Sequence, residues 1–417
     1  MGHAKLTDSS HEAAYPDYLV QLSAKSKKRK SAVQNEPLLI DMSQPGSEKQ
    51  LEDLVRMTPS VEMVDNYAEQ YAELLLSQNA HLYRANSDVQ IASVGKLLKE
   101  HYHARAPWKH GSWAYFPWSN QLVHILAKVD FEDLRTIRNR DLITREEQAI
   151  VYNFSAACFG MSVGSAGALA LSISGMSRDI KLVDGAVISG SNLNRILTGV
   201  ASVGLGKAHT IGQKIYEMNP YSHVYYHDKV TATNIESILT KDVPTNIVID
   251  EIDDIEMKVR IRSEARKLKI PVLMATEIGD TIILDVERFD LEPDRNLFHG
   301  QVPGIERLLQ ESITDYREWT KHAVKIIDPS NMSIKMQKSL LKIGTNIVTH
   351  PQLGSTVMMT GGVLAFAVKN IALGNPIKSG RYVISLERQL LSDHQTREYR
   401  RAHKKHTKSI NSAVNSM

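Results

Sequence analysis

Along this chain the apolar positions change their period. From Gln50 to about His103, as in EDLVRMTPSVEMVDNYAEQYAELLLSQNAHL, they recur at three- and four-residue steps, broken near Pro59. That spacing predicts helices. From about Ile150 to Val286 short apolar runs alternate with amphipathic ones. AIVYNFSAACFG, DIKLVD, HVYYHDKV, TNIVIDEI, IPVLMATEI and DTIILDVERF read as strands, TNIVIDEI as one of buried type. KAHTIGQKIYEMNP, closed by Asn219-Pro220, and MKVRIRSEARKLK read as helices. Strand-helix alternation with short connections argues for a mostly parallel sheet with helices on both faces. No internal repeat is visible. The most apolar long stretch, LGSTVMMTGGVLAFAVKNIALG, carries Lys369 with several Gly and Thr, and falls short of about 20 clean apolar residues. It reads as a buried helix and not as a membrane span.

These patterns divide the chain into a flexible segment (1–48), a mainly helical accessory domain (49–137), a Rossmann-like α/β domain (138–390) and a basic flexible tail (391–417). Within the accessory domain HYHARAPWKHGSWAYFPWSNQLVHIL gathers Trp108, Trp113 and Trp118 with Tyr115 and Phe116. It reads as a small satellite core or as an aromatic surface for a peptide or ligand. His101, His103 and His110 lie near it without a paired acid at helical spacing, so no metal site is expected there.

Charge changes this picture little. Lys+Arg 50 against Asp+Glu 47 gives +3, which does not point to nucleic acid. The basic runs KSKKRK and REYRRAHKKHTK read as solvated. A single cysteine, Cys158, excludes an internal disulfide and a Cys-only zinc site within one chain. The polar start has no apolar signal-peptide core, so a cytoplasmic protein is expected.

The chemistry concentrates behind the first two strands of the α/β region. FGMSVGSAGALAL places Gly160, Gly164 and Gly167 in a turn that opens a helix, a place where backbone N–H groups can meet a phosphate. Ser162 and Ser165 stand where the strict dinucleotide fingerprint has glycine. Asp184 ends the second strand about 20 residues later, where an acid can accept hydrogen bonds from ribose hydroxyls. Up to this residue NAD, FAD and ATP are served equally. LVDGAVISGSNLNRILTGVASVGLGKAH then adds Asn192, Arg195 and Lys207. Two cations and an amide directly after the acid suit a triphosphate. VIDEIDD supplies Asp250, Glu251, Asp253 and Asp254 at the end of a buried strand. One of them can carry Mg²⁺, and Asp253 or Asp254 can equally cap the following helix.

The order of Gly-rich turn, LVDGAVISGSNLNR, VGLGK, NP and VIDEIDD resembles the ThiF/MoeB-type adenylating enzymes, the ubiquitin-activating-type family. The resemblance covers about Arg138 to Val286 and resumes at PQLGSTVMMTGGVLAFAVKNIALG. It implies that Asp184 binds the ATP ribose, that Asn192 and Arg195 contact phosphates, and that Lys207 holds them. Asp253 would bind Mg²⁺ or steer the reacting groups, with Gly160, Ser162 and Gly164 forming the nucleotide turn. RNRDLITREEQ resembles the segment from which an arginine reaches the partner subunit's site, so Arg140 or Arg138 is implied as a trans contributor in a homodimer. Two departures stand out. Ala186 replaces the family's second acid, and no cysteine follows the fourth strand of the sheet. The resemblance therefore implies ATP-dependent adenylation of a carboxylate on a peptide, protein or small molecule, without a thioester relay through this chain. An FAD- or NAD-binding protein of the same fold and a non-catalytic dimeric scaffold remain the alternatives.

Overall fold

The computed structural model describes residues 35–313 and 315–416. KSKKRK lies outside the described residues, as does most of the segment read as flexible. Leu38–Asp41 forms β1 and Ser47–Met57 opens α1, so residues 38–48 belong to a folded unit and not to a flexible lead-in. That unit continues through β2 (Glu62–Asp65), α2 (Tyr67–Gln78), α3 (Ser87–His101), β3 (Ser112–Phe116), β4 (Gln121–Ile125) and α4 (Lys128–Arg135). It has the expected helices and, in addition, a four-stranded sheet of order β1-β3-β4-β2. Ile40, Met42, Leu51, Leu54, Trp113 and Leu122 form its core. Trp113 is thus a core residue, and Trp118 instead donates to Glu217 at 2.8 Å, tying this unit to the next. His101 stacks on Tyr71 and bonds the Tyr67 hydroxyl at 3.0 Å.

The second unit begins with α5 (Arg145–Asn153), entered through a reciprocal cap between Thr144 and Glu147. It proceeds through β5 (Ala156–Phe159), α6 (Gly164–Ile173), β6 (Asp179–Val183), α7 (Lys207–Met218), β7 (His223–His227) and α8 (Ile235–Thr240). Next come β8 (Ile247–Asp250), α9 (Ile255–Lys267), β9 (Val272–Glu277) and β10 (Thr281–Glu287). After α10 (Tyr316–Ile327), α11 (Ile334–Leu340) and α12 (Gly354–Ala372), the strand β11 (Gly380–Ser385) closes a seven-stranded sheet of order β11-β10-β9-β8-β5-β6-β7. Strands β5 to β9 run parallel, and β10 and β11 are antiparallel. Both faces are covered, so the strands read as continuous apolar runs. Alternate residues of β5 show the pleat. Ala156 and Cys158 join the core with Leu169 of α6 and Leu364 of α12, while Ala157 and Phe159 join the core with Leu239 of α8 and Val259 of α9.

Helix α12 is, among the described residues, the one long and apolar enough to cross a membrane by length and composition. Here it packs on α6 so closely that a Cβ on Gly361 would stand 2.5 Å from the Ala166 carbonyl oxygen. Gly167 serves the same packing, since a Cβ there would meet Leu364 at 3.0 Å.

The segment read as a basic tail folds back after α13 (Leu386–Leu390) as α14 (Arg397–Ser416). Ile410 is buried, His403 bonds the Met332 carbonyl at 2.7 Å, and Gln337 donates to Thr407 at 2.8 Å. The helix is amphipathic, and its cations Arg400, Arg401, Lys404, Lys405 and Lys408 keep to the exposed face. A run of charge therefore marked one face of a docked helix, and only that face is solvated.

Candidate active site

The chain builds outward from β5 in two directions. After β5 it steps to β6 and β7 on one side, and then crosses to β8 on the other. The carboxyl ends of β5 and β8 therefore sit where the strand order reverses, the place at which open parallel sheets leave a crevice.

Gly160 opens that crevice with φ +87°, and a Cβ there would lie 2.5 Å from the Glu251 carbonyl oxygen. Both facts demand glycine. The Met161 N–H donates to Asp184 Oδ2 at 2.7 Å, and the Ala186 N–H donates to Oδ1 at 2.7 Å. Asp184 thus fastens the turn after β5 to the turn after β6, with lone pairs left on both oxygens. Ser162 accepts from Arg195 Nε at 3.1 Å, and its carbonyl accepts from Ser165 Oγ at 2.7 Å, at the start of α6. Gly164 has more room. A Cβ there would stand 3.5 Å from its nearest neighbour, an ordinary contact, so its smallness is not sterically required.

Residues 190–194 form a short 3-10 turn held by a reciprocal cap, in which buried Asn192 accepts from the Ser189 N–H at 3.1 Å. The turn delivers Arg195, whose Nη1 donates to the Ser191 carbonyl at 3.1 Å and to Asn194 Oδ1 at 2.9 Å. Burial pulls the guanidinium below its ordinary pKa, against the opposing pull of Glu277 and Asp253. Lys207 begins α7 with its N–H on the Ala186 carbonyl at 2.9 Å. Its half-buried ammonium has no hydrogen-bond or ion-pair partner among the described residues. Ala186 therefore contributes backbone to the clasp between β6 and α7 where the resemblance led one to look for an acid.

The DEIDD run separates by role. Asp250 is fully buried, and although burial works against it, Lys258 and Arg262 hold its carboxyl below the usual range. Glu251 Oε1 accepts from the Ala275 N–H at 2.7 Å, bracing β9; burial drives its carboxyl well above the usual range, with Glu277 adding to the push and Lys258 opposing it. Asp254 caps α9 through the Met257 N–H at 3.0 Å. Asp253 alone of the four is exposed with no hydrogen-bond or ion-pair partner among the described residues. Arg195, Asp253, Asp184 and the Gly160 turn are thus brought to one crevice, with Lys207 clasped to Ala186 two residues beyond Asp184. Arg140 is not among them. Its guanidinium pairs with Asp133 at 2.7 Å, and Arg138 beside it is exposed.

One residue escaped the sequence reading. Glu277, the last residue of β9, is 7% exposed, and its Oε1 accepts no hydrogen bond of ordinary geometry among the described residues. Gln352 reaches Oε2 at 3.4 Å, and the Gln352 carbonyl accepts from Asn194 at 2.9 Å, next to Arg195. Burial pushes the Glu277 carboxyl up to about 7, against bonds from Thr360 and Gln352 and the charge of Arg195. The available signal was an acid ending an otherwise apolar strand, VLMATE.

The sequence profile of the ThiF family matches residues 135–409. An uncharacterised protein of Mycobacterium tuberculosis (strain CDC 1551 / Oshkosh) is 33% identical over 339 residues, 81% of this chain and 44% of its own length. The chain thus spans less than half of that curated relative. Among solved structures, PaaA aligns at 19% identity over 62% of this chain and 78% of its own, with a TM-score of 0.44. The E. coli tRNA N6-threonylcarbamoyladenosine dehydratase TcdA aligns at 18% identity over 58% and 95%, with a TM-score of 0.40. E. coli MccB with ATP aligns at 16% identity over 58% and 63%, with a TM-score of 0.39.

Proposed function

The chain belongs to the ThiF family, and from that premise we propose that it activates a carboxylate by transferring AMP to it from ATP. The observation that carries the reading is the convergence of a ribose-type acid, Asp184, a guanidinium, Arg195, and an unpartnered carboxylate, Asp253, on the crevice where the strand order reverses. The substrate carboxylate attacks the α-phosphorus, the bond to the β-phosphate oxygen breaks, and pyrophosphate leaves with the electron pair. Little covalent work falls to the protein. Its contribution is alignment, worth about 7–11 kcal/mol in well-oriented reactions, and charge stabilisation at the phosphates.

Asp184, already immobilised by two backbone N–H groups, offers its remaining lone pairs to the ribose. Arg195, held on one edge by Ser162, Ser191 and Asn194, presents its remaining N–H groups to phosphate oxygens. Lys207 supplies a point charge on the same side, and Asn192 keeps the turn that aims Arg195. Asp253 fits Mg²⁺, which accepts one or two carboxylates and otherwise phosphate and water. Bound there, the ion would neutralise phosphate charge. A homodimer would bring Arg138, which has no hydrogen-bond or ion-pair partner among the described residues, to the partner subunit's phosphates more readily than Arg140, which must first leave Asp133. Cys158 is fully buried, and burial pushes its thiol up to about 12. The acyl group therefore passes to a nucleophile from outside this chain. The amino-terminal unit, fastened beside the sheet, is proposed to hold a peptide substrate.

Thermal unfolding with ATP·Mg²⁺, NAD⁺ and FAD in parallel tests this reading. A ligand at about a hundred times its Kd adds about 2.7 kcal/mol. A shift with ATP·Mg²⁺ that Arg195→Ala abolishes is expected. A shift with NAD⁺ or FAD alone would replace adenylation by a redox reading.

A further inference from the structure

A cleft of about 300 Å³ lies at the outer edge of the large sheet, at the small end of the range for ligand pockets. Thr281 of β10 and Ser385 of β11, register partners whose hydroxyls meet at 2.7 Å, line it from the sheet. Glu387 and Arg388 of α13 line a second side. His394, just before α14, and Arg400, in the first turn of α14, line a third. The cleft shares no residue with the site built around Asp184, Arg195 and Asp253.

Its charges are left open. Glu387 is half-buried, and its carboxylate has no hydrogen-bond or ion-pair partner among the described residues. Burial holds this carboxyl above the usual range, with His394 and Lys335 opposing the shift and Asp280 and Asp393 adding to it. The Arg400 guanidinium has no such partner among the described residues either. Arg388 makes one long bond, from Nη2 to the Ser330 carbonyl at 3.4 Å.

Fully exposed side chains of opposite charge gain little by closing on one another. A carboxylate partly withdrawn from water gains more from a cation. A cleft that keeps Glu387 apart from Arg388 and Arg400 therefore points to a molecule between them. A plain anion would answer the two guanidinium groups and meet repulsion at Glu387, and a plain cation would do the reverse. A molecule carrying both signs a few bonds apart satisfies all three, because a guanidinium fork matches a carboxylate and a carboxylate accepts from an ammonium.

We propose that this cleft binds a small zwitterion, in kind a free α-amino acid, with its carboxylate on Arg388 and Arg400 and its ammonium on Glu387. The proposal does not depend on the adenylation reading, since it uses none of the crevice residues.

Titration calorimetry of the full chain with each standard amino acid, its N-acetyl form and its amide tests this. At least one free amino acid is expected to bind, and blocking either its nitrogen or its carboxylate should weaken it about tenfold or more. Glu387→Gln should weaken the free amino acid by a similar factor and leave its N-acetyl form little changed. Arg388→Gln combined with Arg400→Gln should weaken the free amino acid and leave its amide little changed. A far-UV circular dichroism spectrum matching the native one shows that the variants are folded. Arg195→Ala, which alters the crevice alone, should bind the amino acid as the native protein does. Absence of binding by every amino acid overturns the assignment, as does inorganic phosphate binding as tightly as the best amino acid. Loss of binding in Arg195→Ala would place the ligand in the crevice and overturn it as well.

Discussion

Arg262 is the residue on which the floor of the crevice rests. It is completely buried, and it bridges two buried carboxylates from different strands, Asp250 at the end of β8 and Glu287 at the end of β10. Its Nε lies 2.6 Å from Glu287, its guanidinium lies 4.2 Å from the centre of the Phe298 ring, and Asp250 leads directly into the Glu251–Asp253 turn. Arg262→Met keeps the apolar stem and removes the charge. Asp250 retains Lys258 at 3.3 Å and Glu287 retains the Phe298 N–H at 2.8 Å, so the carboxylates are weakened in their compensation without being wholly abandoned. Breaking one side of a buried pair costs about 3–5 kcal/mol, and about 2–4 °C per kcal/mol gives a fall of about 6–20 °C in Tm. Urea titration at neutral pH measures the free energy, and adding Asp250→Asn and Glu287→Gln to the variant should recover about half or more of it. The pH dependence has a definite sign. The Asp250 carboxyl is held below its unfolded value, so its contribution is present above the ordinary carboxylate range and is lost as pH falls through the folded pKa. The deficit of Arg262→Met should accordingly be full at neutral pH and narrow in acid. A loss under about 1 kcal/mol, or a loss that does not depend on pH, would refute the account of this network.

Three further outcomes are expected. Gly160→Ala, forced to φ +87° with its methyl 2.5 Å from the Glu251 carbonyl, should cost about 1–3 kcal/mol and remove stabilisation by ATP, both read by thermal unfolding. Cys158 should react with iodoacetamide about a thousandfold more slowly in the native protein than in urea, since burial holds its thiol near 12; rapid native labelling would contradict the inert-thiol reading. Glu277→Gln should stabilise the protein at pH above about 7 and not near pH 4, measured by urea titration at both. A carboxyl raised from its ordinary value to about 7 makes the native state hold a proton that the unfolded chain releases, so stability declines across that window, by up to about 3 kcal/mol.

What the linear order of residues determined is everything carried by short periods and by polar residues placed directly after them. Strands β5 to β10 stand where apolar runs stand, because a strand covered on both faces cannot hide its composition. Asp184, Arg195, Lys207 and the DEIDD run were legible as candidates because strand ends and the turns behind them are where a parallel sheet exposes chemistry. Tertiary structure decided the rest. The sheet of the amino-terminal unit pairs Leu38 with Tyr115, and strands of four or five residues joined over such separations leave no local period to read. The carboxy-terminal charges belong to a docked helix because its apolar face, with Ile410, finds α10 and α11 far back in the chain. Four acids that look alike in VIDEIDD became a buried ion pair, a strand brace, an exposed carboxylate and a helix cap, since desolvation and the positions of Arg262, Ala275 and Met257 are properties of the assembled fold. Glu277 shows the same limit. Its carboxyl is buried beside Gln352 and Thr360, which are distant in sequence and reach the end of β9 only in the assembled fold.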